Sequence, residues 1–325
     1  MPNKTGEYLK LAGQTAKELT RYWENWTDYL TTASRLYKYN FSDQLMIYAQ
    51  RPDATACADF DIWNNRMGRY VRRGSKGIAL LDQSGSVPRL HYVFDVSDTG
   101  VRRNSRDPEV WQLGPDLVQP VSEMLAREYG VQQENLGQQI ADICGRLVDS
   151  YWDNNSGDIL DIVDGSYLEQ YHDYDKGVAF LNAATVSTTY MLLSRCGLAE
   201  NAHFGLEDFM PVFDFNTPQT VDALGSAISG ISEEILRNIE VTIKKYEREK
   251  LSERSYENDR TDLYPQRGLL DSQSEPVPAG DPAPGQVRED AEEVSTGASS
   301  GAVEQPDPVG EAVSTSEGER RNSEP

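Results

Sequence analysis

Near residue 252 the hydrophobic patterning of this chain stops, so whatever folds must be built from what comes before. From residue 252 to 325 the sequence is dominated by Ser, Pro, Gly, Glu and Asp, with 17 acidic and 6 basic residues and almost no aromatics. A stretch of that composition cannot bury enough apolar surface to offset its ordering entropy, so residues 252–325 are predicted to form a disordered acidic tail. The preceding part has room for two ordinary domains. Its share of a composition that is 38% hydrophobic is enough for a core.

Charge divides the chain as sharply as patterning does. The net charge is -22, yet residues 1–106 hold 16 Lys and Arg against 11 Asp and Glu. A mildly basic head therefore precedes a strongly acidic body and tail, an asymmetry that points to nucleic-acid contact by one end. Cys57, Cys144 and Cys196 are widely spaced, with no CxxC. They read as reduced thiols of a cytosolic protein. The first residues, MPNKTGEYLKLAG, lack the apolar core of a signal peptide, and no run of 18 apolar residues exists. A cytoplasmic location without membrane contact is the expectation.

Leu19, Tyr22, Trp23, Trp26, Leu30, Ala33, Leu36 and Tyr37 recur at three- and four-residue steps, which predicts one long amphipathic helix. Ser42 can cap a second helix that must end before Pro52, and a short helix over Asp59–Met67 would stop at Gly68. The pattern then turns to β: Arg69–Val71, Ile78–Leu81 and Leu90–Val96 are predicted strands around Gly-rich turns. From Pro115 it is helical again, over Leu117–Tyr129, Leu136–Trp152, Val178–Arg195 and Pro218–Lys250. The expected architecture is an α+β N-terminal domain (1–106) of helices and a small antiparallel sheet. A mostly α-helical domain (107–251) and the tail follow it.

Between Ile62 and Leu81 stand five cations, Arg66, Arg69, Arg72, Arg73 and Lys76, and no acid. Three of them sit where a strand meets a Gly-rich turn, which exposes backbone N–H groups and admits phosphates closely. Arginine forks clamp phosphate bidentately or stack on a base. Trp63, Tyr70 and Phe41 are candidate stacking faces, and Asn40, Ser42 and Gln44 candidate polar contacts beside them. Cations with aromatic platforms suit single-stranded nucleic acid. A solvated charged hairpin, with Trp63 and Phe41 in the core, is the competing reading. The Gly74-Ser75-Lys76-Gly77 turn lacks the spacing of a nucleotide-binding P-loop.

The run Tyr39-Asn40-Phe41-Ser42-Asp43-Gln44 through Arg51-Pro52-Asp53, the segment Phe60–Trp63 with Gly68–Ile78, and Val93–Thr99 together resemble the N-terminal domain of ArdC-type antirestriction proteins. The resemblance covers about residues 15–105. It implies a domain that binds single-stranded DNA, in proteins encoded on plasmids and conjugative elements. In that family a zinc metallopeptidase-like domain with a His-Glu-x-x-His helix follows. This chain departs there: its histidines are His91, His172 and His203, and no HExxH exists. The helix Val178–Arg195 resembles the family's carboxylate-donating helix, but holds no acid, and Val186 stands about where the ligand would be. The expectation is a binding protein with no catalytic residues, no metal and no cofactor.

The acidic region 107–250, with Arg260–Leu263 and Asp271–Gln273, also looks like the segment following this module in large helicase- and methylase-containing proteins of conjugative transposons. The chain is thus either a stand-alone relative or an N-terminal accessory piece of such a protein. Besides single-stranded DNA, host restriction enzymes or conjugation and replication proteins are candidate partners. The acidic half could alternatively serve as a protein-interaction or DNA-mimic module. Tyr171–Asp175 concentrates titratable groups without an evident nucleophile, and Asp153, Asp158, Asp161 and Asp164 lack EF-hand spacing, so a solvated acidic face is the plainer reading.

Overall fold

A computed structural model describes residues 4–262 apart from Gln83 and Ser86, with side chains as far as Glu253. Three helices open the chain: α1 (Lys4–Leu19), α2 (Trp23–Arg35) and α3 (Phe41–Gln50). Five short strands follow: β1 (Cys57–Asp59), β2 (Tyr70–Val71), β3 (Ile78–Asp82), β4 (Arg89–Asp95) and β5 (Thr99–Gly100). The rest is helical: α4 (Val118–Tyr129), α5 (Leu136–Leu160), α6 (Asp173–Arg195), α7 (Leu206–Phe209) and α8 (Pro218–Asp262). The α+β order expected from the patterning, strands after helices and then helices alone, is the observed one. Among the described residues no helix is long and apolar enough to cross a membrane.

The single long helix expected over residues 19–37 is two. The chain breaks at Tyr22, which is extended (φ -139, ψ 142), and the Asn25 side chain donates to the Glu18 carbonyl at the end of α1 (2.8 Å). The apolar rhythm runs through this corner unbroken, so periodicity alone does not register it. Helix α3 is capped by Asn40 and not by Ser42: the Asn40 side chain accepts from the Asp43 N–H at 2.9 Å. Of the helix expected over Asp59–Met67, residues 60–66 are helical, closing as a π-helical turn, Ile62–Arg66, ahead of left-handed Gly68 (φ +64), while Asp59 ends strand β1. Helix α8 runs past the end of the apolar patterning to Asp262; residues 251–262 hold no Gly or Pro to stop it. The remainder of the expected tail, 263–325, lies outside the described residues.

Strands β1, β4 and β3 form an antiparallel sheet in that order, with Ala58 opposite Phe94 and Leu80 opposite His91. On it lies α3, so that Met46, Ile47, Ile78, Leu80 and Val93 share a small core. As an edge strand β3 would expose unpaired backbone groups. The Gln50 amide covers that edge as a strand would, donating to the Ala79 carbonyl (2.8 Å) and accepting from the Ala79 N–H (3.0 Å).

The second, larger core crosses the boundary expected at residue 106. Trp26, Tyr29 and Leu30 of α2 are buried in one cluster with Leu125, Ile143, Phe180 and Ile235 of the later helices. The Trp26 indole N–H donates to Ser187 Oγ at 2.8 Å, tying α2 to α6. Helix α6 can occupy the middle because nothing between Lys176 and Arg195 is acidic and much of it is small. Phe41 enters this core from α3 and lies edge-on to Tyr29. A Cβ at Gly225 of α8 would stand 2.1 Å from its ring, so the two helices meet only because residue 225 has no side chain.

One charged network is set into the seam. Glu240 of α8 accepts from Tyr37 Oη (2.5 Å) and Lys38 Nζ (2.7 Å) and pairs with Lys244 (2.8 Å). Burial pushes its carboxyl up, but hydrogen bonds from Lys244, Lys38 and Tyr37 outweigh that and hold it at about 2 instead of 4.5. A depressed folded-state value contributes stability that is present above 4.5 and lost as pH falls toward 2. Glu240→Gln is therefore expected to flatten the acid limb of the melting temperature against pH in that window. A limb of unchanged steepness would show that Glu240 is not its source.

Candidate nucleic-acid interface

The short β2–β5 ladder, Tyr70 opposite Gly100 and Val71 opposite Thr99, carries an arginine-bearing turn on each side. The first turn follows β2. The Ser75 N–H donates to the Arg72 carbonyl (3.1 Å), and Gly74 supplies a positive φ of +90. The Arg72 N–H (2.9 Å) and the Ser75 hydroxyl (3.3 Å) both donate to the Asp98 carbonyl, which anchors the turn to the strand ahead of it. The second turn follows β5. The Ser105 N–H donates to the Arg102 carbonyl (3.0 Å), the Ser105 hydroxyl to the Gly68 carbonyl (2.8 Å) and the Arg106 N–H to the Met67 carbonyl (2.8 Å). Both turns are thus fastened by backbone hydrogen bonds before any ligand arrives.

Beneath them Asp95 organises the corner. Its carboxylate accepts the N–H groups of Thr55, Ala56 and Ser97 at 2.8–3.0 Å and the Ser97 hydroxyl at 2.6 Å. Burial would raise this carboxyl, but those donors hold it below its usual value. It therefore stays ionised and spent inside the protein.

Arg66, Arg72, Arg73, Arg102, Arg103 and Arg106 are exposed, and none has a carboxylate within ion-pair distance among the described residues. The acid nearest the first turn, Asp98, is paired with Arg51 at 2.5 Å. Arg102 lies over the Tyr70 ring (5.7 Å to its centroid) and donates to Asn64 (2.9 Å), which brings the two turns and the π-helical turn onto one surface. Tyr70 is 43% exposed. Its ring rests on the bare Cα of Gly100, where an added Cβ would come within 2.4 Å of it.

The sequence-predicted residues divide among three places. Arg66, Arg72, Arg73 and Tyr70 are on this surface. Lys76, although exposed, borders a cleft shared with Tyr8, Arg51 and Asp53. Asn40 and Ser42 line a cleft with Asp43, Asp82 and Asp222, a setting that repels phosphate. Arg69, Gln44, Trp63 and Phe41 are interior. Arg69 ties the ladder together, its Nε donating to Thr99 Oγ1 (2.7 Å) and its Nη1 pairing with Asp107 (2.5 Å). The Gln44 amide bonds the Leu36 and Tyr39 carbonyls and accepts from Tyr29. The Trp63 indole donates to the Phe94 carbonyl (2.8 Å) with the ring buried. For Trp63 and Phe41 the core alternative is the observed one.

Arg102, Arg103 and Arg106 were not singled out from the sequence. The signal was present, because Gly100–Arg106 holds three arginines and no acid. It stood next to the presumed domain edge, and its pairing with residues 67–72 is visible only in three dimensions.

Gly100→Ala tests the seat of Tyr70. The obstructed atoms are the far end of an exposed side chain, so stability should change by less than about 1 kcal/mol while the ring swings out from beneath Arg102. Tyrosine fluorescence cannot resolve one ring among many, so the check is the Tyr70 ring proton shift, with melting temperature as control. An unmoved resonance would mean that the close approach is not a constraint.

Among the described residues no three His, Cys, Asp or Glu side chains come together as metal ligands would. Val186 packs against the large core, and the Tyr171 hydroxyl donates to Asp214 (3.3 Å). Comparison of the chain with protein-family models, with curated proteins and with solved structures finds no match.

Proposed function

We propose that this chain is a single-stranded-DNA-binding protein of the antirestriction type, acting as a binding module of a mobile genetic element. One observation carries the reading: five exposed arginines on two turns fixed by backbone hydrogen bonds, with Arg66 of the neighbouring π-helical turn, flank an exposed tyrosine, and none has a carboxylate partner among the described residues. Turns already fixed in the backbone lose little main-chain freedom on meeting phosphates, guanidinium forks can clamp them bidentately, and a ring among them offers a base a stacking face. Separated bases are presented by single strands and not by a duplex. The net negative charge of the whole molecule does not oppose this, because exposed charges farther away than about 10 Å are screened at ordinary salt. The resemblance of residues 15–105 to the ArdC-type domain implies the same ligand.

The test is fluorescence anisotropy with a labelled oligothymidylate and a duplex of equal length, using the full chain. A single-strand preference of about tenfold or more is expected from the stacking contribution. Equal affinity for both forms would leave only a nonspecific polycation surface and defeat the reading.

A further inference from the structure

The Arg106–Met67 hydrogen bond that fastens the second turn also forms one wall of a cleft. This cleft has a volume of about 410 Å³ and runs from the arginine surface down to the seam between α2, α6 and α8. That volume falls within the range of small-ligand sites, about 300–1,000 Å³. Trp111 lies at its floor, with the Arg195 guanidinium 3.6 Å from its ring centre. The indole N–H of Trp111 donates to Tyr37 Oη at 3.1 Å.

The carboxylates lining the cleft are all taken. Asp107 pairs with Arg69, Glu109 with Lys244, and Glu240 with Lys38 and Lys244. Arg35, although without a carboxylate, directs its guanidinium to the carbonyls of Ala54, Pro52 and Thr31. Arg195 and Arg106 are different. The Arg195 Nη2 donates to the Trp111 carbonyl (2.7 Å), its Nε is buried without an acceptor, and its Nη1 has no protein partner among the described residues. Arg106 is exposed at the rim, and its guanidinium has no ion pair or hydrogen bond among the described residues. Burial pulls the Arg195 guanidinium below its usual value. A half-buried guanidinium with one carbonyl acceptor, no paired carboxylate and an unsatisfied Nε is costly until an anion satisfies it.

We propose that this cleft takes one nucleotide of the bound strand, its phosphate held by Arg195 and Arg106 and its base against the walls formed by Met67, Cys57 and Tyr39. The inference rests on the single-strand reading and deepens it. The chemistry it names is a phosphate monoester or diester joined to a flat ring. An anion alone would leave the apolar walls unused, and a base alone would leave the guanidinium unsatisfied.

The experiment follows the Trp111 indole N–H resonance of the full chain, assigned with Trp111→Phe, on adding inorganic phosphate, deoxythymidine, or deoxythymidine monophosphate. The monophosphate should shift the resonance at the lowest concentration, phosphate should do so more weakly, and the nucleoside should have least effect. Arg195→Gln and Arg106→Gln should each weaken the monophosphate response about tenfold, the effect of one charge-assisted contact. Arg106 is exposed, so its variant remains informative if Arg195→Gln fails to fold. A resonance that ignores the monophosphate, or that responds in both variants as strongly as in the parent, overturns the proposal. If oligothymidylate still binds in that case, the single-strand reading stands and only the cleft assignment falls. If the monophosphate binds through Arg195 while oligothymidylate does not bind, the cleft stands as a nucleotide site and the strand reading falls.

Discussion

Arg72→Glu, Arg73→Glu and Arg102→Glu combined are expected to lower affinity for single-stranded oligonucleotide on the order of a thousandfold near 0.1 M salt. Each exposed guanidinium that meets a phosphate makes a charge-assisted hydrogen bond worth about 1.5–3 kcal/mol, and reversal adds repulsion to the loss. The three side chains come from both turns, so the variant removes contact on either side of Tyr70. None of them is paired with a carboxylate among the described residues, and the Arg72 contact with protein is a single hydrogen bond to the Ser97 carbonyl (2.8 Å). Folding should therefore survive, with the melting temperature near that of the parent. Anisotropy titration is the measurement. Affinity within about threefold of the parent would place the strand elsewhere on the molecule, since contacts of this kind cannot be lost so cheaply.

Trp26→Ala is expected to cost about 3–5 kcal/mol, the range for emptying a buried large aromatic site. Trp26 is fully buried, packs against Tyr29 at 5.5 Å between centroids and bonds Ser187 across to α6. The cavity would open where the early and late helices share one core, so the loss should appear as one cooperative transition at lower denaturant concentration. Two separated transitions, with only the earlier one moved, would mean that residues 1–106 and the helices after them unfold independently. Ser187→Ala, which removes only the acceptor, should cost less, about 1–3 kcal/mol for the stranded indole N–H.

Much of the fold was legible because its signals are local. Alternation marks β4, the unbroken apolar run marks β3, and Gly130 with φ +65 ends α4 where the helical spacing ends. Helix ends misjudged from the sequence have identifiable causes. The Tyr22 corner leaves the apolar rhythm intact, and α8 continues after apolar patterning has ceased because no Gly or Pro interrupts residues 251–262. The two-residue β2 falls within the strand expected at Arg69–Val71, but β1 and β5, of three and two residues, hold too little pattern to be read.

The site was legible in charge but not in exposure. A cluster of arginines without acids is a fact of composition, and it located the first turn. Which members face water depends on what packs behind them. Strand alternation places Arg69 on the opposite side from Tyr70 and Arg72, and Thr99 and Asp107 receive it there. Phe41 and Trp63 lie beside the cluster in sequence but turn inward, because Gly225 and the Phe94 carbonyl provide their places. The second arginine turn joins the first only through the two-residue ladder, which no spacing in the chain announces.

The most direct measurement of the central claim is the salt dependence of oligothymidylate binding to the unmodified chain. If the two turns neutralise three to five phosphates, log K should fall against log salt with a slope of about -2 to -4. A slope near zero with measurable affinity, or no binding at low salt, would contradict it.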